Sequence, residues 1–148
     1  MAHGLYSWLG KVIHFARPFL SSDDIQAGER WDDILGKQLS GSDFGILCIT
    51  PKSEASPWML FEAGALSGSY GNPKRVVPYV LGMDAGELKP PLSRFNAVHA
   101  DQDGTFKLLD SLNKTPRGQL LSNEVLKATF EVFWPEMKEA LEAAKKLL

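Results

Sequence analysis

The chain has 148 residues, enough for one domain that buries its own core without disulfides or metals to staple it. A formal net charge of −2, with 44% hydrophobic and 23% charged residues, describes a globular chain with no basic stripe for nucleic acid. One cysteine, Cys48, excludes an internal disulfide, and no run approaches the roughly 20 apolar residues of a membrane span. The N-terminus lacks the basic region and long apolar stretch of a signal peptide, so the expectation is a cytoplasmic protein with no membrane and no nucleic acid among its partners.

Leu5, Trp8, Leu9, Val12 and Ile13 recur at helical spacing and predict an opening helix that ends near Arg17-Pro18. Pro18–Leu20 is short enough to be a strand with proline at its start, and Ser21 to Asp24 reads as a loop. Trp31, Ile34, Leu35 and Leu39 mark the inner face of a second helix, Gly28 to Leu39. The run FGILCIT, Phe44 to Thr50, has the continuous apolarity of a strand buried on both faces of a parallel sheet. Ser56 and Pro57 are the N-cap and first-turn residues of a third helix reaching about Ser67.

Arg75 to Leu81 is a second buried strand, in which Pro78 is expected to interrupt the hydrogen-bond ladder. Leu92–Phe95 reads as a short helix, Ala97-Val98 as a short strand and Phe106–Leu112 as a helix. From Asn123 the stripe Leu126, Phe130, Phe133, Met137, Leu141, Ala144 and Leu148 predicts a long helix that Pro135 should kink or restart. Strands alternating with helices give an α/β class with a mainly parallel sheet in a single domain, residues 1–148, with a long helical segment over 120–148.

Glu62 is the residue that stands out. Helical spacing puts it on one face with Trp58, Phe61, Ala65 and Leu66, where a carboxylate costs free energy unless it is paired or used. Pairing with a nearby arginine is the structural reading and catalysis the functional one. Other candidates are weaker. Gly64, Gly68 and Gly71 sit at a helix end and not between a strand and a helix start, so they are no phosphate fingerprint. Ser53, Ser56 and Ser67 lack a nearby histidine. His3, His14 and His99 have no metal-ligand spacing, and Asp23, Asp24, Asp32 and Asp33 read as solvated turns, so no metal is expected. Cys48 reads as a small buried hydrophobe.

Three stretches together resemble the bacterial TIR (Toll/interleukin-1 receptor) domain family, in particular its NAD-cleaving members in antiphage defence and effector roles. They are ARPFLSSDDIQAGERWDDIL (Ala16–Leu35), SDFGILCITPKSEASPWMLFEAGALS (Ser42–Ser67) and RVVPYVLGMDAGELKPPLSRFNAVHADQDGTFKLLDSLN (Arg75–Asn113). The strand followed by S-P-W-x-x-F-E-x-G-A-L is the most specific part. The resemblance implies a flavodoxin-like fold with helices on both faces of a parallel sheet. It makes Glu62 the match to the catalytic glutamate and Trp58 a residue that shapes the pocket. It places Ser21, Asp23 and Asp24 in a loop that borders the active site and mediates assembly, and Arg30 and Trp31 just after that loop, all on the substrate side.

The activity so implied is NAD+ glycohydrolysis, with NAD+ as substrate, no separate cofactor, and a homo-oligomer or TIR–TIR assembly as the working form. Two other functions stay open: a non-catalytic self-association or adaptor module, and an enzyme like the nucleoside deoxyribosyltransferases, which also use a glutamate on a flavodoxin-like scaffold. The resembled family opens with a strand ahead of the first helix, and no such strand precedes Leu5. The sheet is therefore expected to lack the usual first strand. Either the remaining strands close up, another chain fills its place, or the sequence begins late in the natural protein.

Overall fold

The computed structural model describes residues 1–20, 41–54, 56, 75–115 and 121–148. In chain order these carry helix α1 (Ala2–Val12), strand β1 (Phe44–Ile49), strand β2 (Arg75–Val80), two 3-10 turns (Ala85–Glu87 and Leu92–Arg94), strand β3 (Val98–His99), helix α2 (Gln102–Asn113) and helix α3 (Asn123–Lys145). The described strands form one parallel sheet in the order β1-β2-β3, which is the α/β class expected from the sequence.

β1 and β2 pair along their whole length, Phe44 opposite Arg75 through Ile49 opposite Val80. Alternation along a strand sends successive side chains to opposite faces, and both faces are apolar. Phe44, Ile46, Cys48, Val77 and Tyr79 pack into a cluster with α1, α2 and α3. Leu47, Ile49, Val76 and Val80 face the other way, against Leu88 and Leu92 of the 3-10 segment. The three described helices thus share one face of the sheet, and the 3-10 turns take the other.

Pro78 does not interrupt β2, and the hydrogen bonds explain why. The Leu81 N–H bonds the Ile49 carbonyl on the β1 side, while the Val80 carbonyl accepts from the Ala100 N–H on the β3 side. Backbone groups alternate sides along a strand, so the nitrogen of Pro78 points toward β3. β3 begins pairing only at Tyr79, so the missing N–H falls outside that ladder.

Helix α1 stops at Val12, earlier than the sequence suggests. Ile13 turns extended (φ −125°, ψ 94°) and is completely buried, so leaving the helix delivers it to the core. Pro18–Leu20 forms no strand. Helix α3 runs unbroken through Pro135. A helical proline forfeits its bond to the carbonyl four residues earlier; Glu131 and Pro135 are both exposed, so water can satisfy that group. Trp8, almost fully buried, donates its indole N–H to the Phe133 carbonyl at 2.7 Å and docks α1 on α3. Asn113, also buried, accepts from the Leu121 N–H and donates to the Leu121 carbonyl, which fixes the end of α2 to the approach to α3. Of the apolar stripe along α3, Leu126, Phe130, Met137 and Leu141 are core. Leu148 is not part of the helix, which ends at Lys145.

Candidate functional site at the carboxyl edge of the sheet

In an open parallel sheet the loops leaving the carboxyl ends of the strands form the natural ligand crevice, because short connections gather there above the strand ends. In this chain those loops follow Ile49, Val80 and His99.

The exit from β1 is a tight, self-bonded turn. The Thr50 carbonyl accepts from the N–H groups of Ser53 and Glu54, both at 3.0 Å. The Ser53 hydroxyl oxygen accepts from the Thr50 N–H at 2.9 Å and closes the turn from the other side. Ser56 then donates its N–H to the Ser53 carbonyl. Chain continuity means that the stretch carrying Glu62 is entered from this edge.

The exit from β2 carries Gly82 at φ +79°, a left-handed conformation that side chains other than glycine rarely adopt. Beyond it Asp84 caps the first 3-10 turn, its carboxylate accepting from the Gly86 N–H while Glu87 accepts from the Asp84 N–H. The two exits are tied together, since the Glu54 carboxylate accepts the Lys89 N–H at 2.8 Å. The exit from β3 runs into α2, where Asp101 accepts the Gly104 N–H as an N-cap.

A third element reaches this edge. Past the end of α3, Leu147 offers its carbonyl to the Lys52 ammonium at 3.0 Å. The Leu148 Cδ1 lies 2.2 Å from where a Cβ on Gly82 would stand, and Pro51 adjoins the same spot. Neither Lys52 nor Gly82 belongs to a motif in the sequence. The legible signal was a glycine directly after an apolar strand; a lysine whose partner is distant in the chain leaves none.

The sequence-predicted site residues, Glu62, Trp58, Ser21, Asp23, Asp24, Arg30 and Trp31, all lie outside the described residues. Of the other reactive side chains, Cys48 is half-buried and packs against the helical cluster, and His3, His14 and His99 are exposed. Among the described residues no three of His, Cys, Asp and Glu gather in a group that could hold a metal ion. No described helix is long and apolar enough to cross a membrane.

Among the described residues Tyr79, on the helical side of β2, has a phenol displaced from its ordinary range. It is pushed well above the ordinary tyrosine range, chiefly by burial, with lesser contributions from the neighbouring Cys48 and Asp101. A phenol held neutral beneath three helices is a packing group.

A family model described as TIR domain matches residues 2–113. That span includes α1, which lies outside the three stretches that carry the resemblance in the sequence, and ends with α2. Comparisons with curated proteins and with solved structures found no match.

Proposed function

The chain belongs to the TIR-domain family, and from that premise we propose that it is an NAD+ glycohydrolase in which Glu62 carries the chemistry. The observation that supports this reading is the family match over residues 2–113, which spans Glu62 and every other residue expected on the substrate side. The parallel sheet adds to it by directing the chain into the Glu62 stretch from its carboxyl edge.

The chemistry suits a single carboxylate. Cleaving the nicotinamide–ribose bond releases a neutral leaving group from a cationic pyridinium. The acid half of an ordinary glycosidase pair is therefore dispensable. What remains is an oxocarbenium-like ribose, which a carboxylate stabilises electrostatically or captures covalently. Water attacking the same carbon gives ADP-ribose; attack by a ring nitrogen of the adenine gives a cyclic product. In this reading Trp58 shapes the pocket and Ser21, Asp23, Asp24, Arg30 and Trp31 border it. NAD+ is the substrate, the working form is a homo-oligomer or TIR–TIR assembly, and the setting is antiphage defence or signalling in the cytoplasm.

Nicotinamide release from NAD+ by the purified protein at high concentration, beside Glu62→Gln, is the test. Release by the parent and none by the variant supports the assignment. No release by either, with folding verified by circular dichroism, sinks it in favour of a second reading, a non-catalytic self-association module. One observation favours that second reading: Val125 and Val132, seven residues apart on one face of α3, are 51% and 71% exposed.

A further inference from the structure

We propose that Leu147 and Leu148 form a strap that holds the exits of β1 and β2 together and restricts access to the carboxyl edge of the sheet. The proposal deepens the glycohydrolase reading and rests on it for the consequence in activity, but not for the strap itself.

The geometry is specific. α3 ends at Lys145 and the chain turns, with Leu147 donating its N–H to the Ala144 carbonyl and Leu148 to the Lys145 carbonyl. These bonds direct the Leu147 carbonyl at the Lys52 ammonium and the Leu148 side chain onto the bare Cα of Gly82, with Pro51 alongside. One short segment therefore touches both loops that leave the paired strands. Gly82 is required twice over, by its positive φ and by the methyl group seated where a Cβ would stand.

The strap is lightly held. Among the described residues its hydrogen bond to the edge is the exposed one from Lys52, and Leu147 is 78% exposed and Leu148 42%. A contact of this kind opens locally without unfolding the core. By contrast, the turn it rests on is bonded internally through Thr50, Ser53 and Glu54, so release of the strap frees the edge and leaves the turn intact. A ligand docking above the ends of β1 and β2 must displace Leu148, and whatever draws the end of α3 away, such as assembly with another molecule, would favour the ligand.

Two variants test this, Leu148→Ser, which removes the apolar seat, and Lys52→Met, which removes the hydrogen-bond donor and keeps the stem. Hydrogen exchange of peptides covering Pro51–Ser56 and Leu81–Asp84 reads the strap directly, and nicotinamide release from NAD+ reads its consequence. The expected result is faster exchange in both peptides, with circular dichroism unchanged, and nicotinamide release raised about two- to tenfold at low protein concentration, the range that loss of one modest hydrogen bond and its seat commands. Exchange unchanged in both variants overturns the strap whatever the activity. Faster exchange with release equal to or below an active parent overturns the restriction of access. Faster exchange with no release from parent or variants upholds the strap and counts against the glycohydrolase reading alone.

Discussion

Tyr79 and Thr105 meet hydroxyl to hydroxyl at 2.6 Å in the core, both fully buried, and the direction of that bond is fixed by a third group. Thr105 donates its single hydroxyl proton to the Asp101 carbonyl, so Tyr79 must be the donor to Thr105. The pair joins the middle of the sheet to the first turn of α2, and removing its two members has unequal consequences. Tyr79→Phe takes away a donor and leaves Thr105 still bonded to Asp101, a loss of about 0.5–1.5 kcal/mol. Thr105→Val strands the buried phenol without a partner, at about 1–3 kcal/mol. Urea midpoints of the two variants should fall in that order, and an equal or reversed order would refute the assigned direction.

The same phenol predicts how stability responds to alkali. Tyr79 has its folded value raised above the ordinary 10.0, chiefly by burial, so the folded protein keeps the proton after the unfolded chain has lost it. From about pH 10 upward the unfolded state binds fewer protons than the folded one, and stability falls as pH rises. Below that pH both states hold the proton and the group contributes no slope. Tyr79→Phe should therefore show a shallower decline between roughly pH 10 and 11 than the parent, measured by denaturant unfolding. A decline of equal slope would mean that Tyr79 is not buried as described.

The sheet was legible because its strands are apolar on both faces. FGILCIT and RVVPYVL stand out as runs bounded by turn residues, and β1 and β2 each end one residue before those runs do. The prolines misled because their effect depends on direction and exposure. Pro78 points its nitrogen to the side where β3 has not begun, and Pro135 lies on the wet face of α3; neither fact exists in the sequence. The end of α1 falls earlier than the apolar pattern suggests, because Ile13 continues that pattern while its backbone turns inward. Nothing local announces the contact of Lys52 with Leu147, which closes between residues 95 positions apart. Glu62 was legible as an acidic residue in an apolar helical pattern, and that pattern with the family match is what its assignment rests on.

Gly104 occupies a position where alanine should destabilise in spite of its helix propensity. It lies in the first turn of α2, where exchanging Gly for Ala ordinarily gains about 0.5–1 kcal/mol. Here an added Cβ would stand 2.0 Å from the His99 carbonyl oxygen and 3.0 Å from the His99 nitrogen, both backbone atoms that no rotamer change can move. Gly104→Ala should cost about 1–3 kcal/mol or more by forcing α2 away from the end of β3. A thermal midpoint equal to or above that of the parent would show that α2 does not lie this close to the end of β3.

Ser53 links local turn chemistry to the proposed activity. Its hydroxyl oxygen receives the Thr50 N–H at the end of β1, and its N–H and that of Glu54 return to the Thr50 carbonyl. Ser53→Ala keeps the backbone bonds and removes the side-chain acceptor, leaving the Thr50 N–H to water at a net cost of about 0.5–1.5 kcal/mol. β1 is anchored independently by its ladder with β2, so global stability should change by no more than that amount. The chain beyond the turn leads to Glu62, so geometry lost there reaches the reacting groups, where small misplacements are expensive. Nicotinamide release should fall by more than the stability loss accounts for, with KM little changed and kcat reduced; a kcat equal to that of the parent would show that the β1 exit does not position the catalytic stretch.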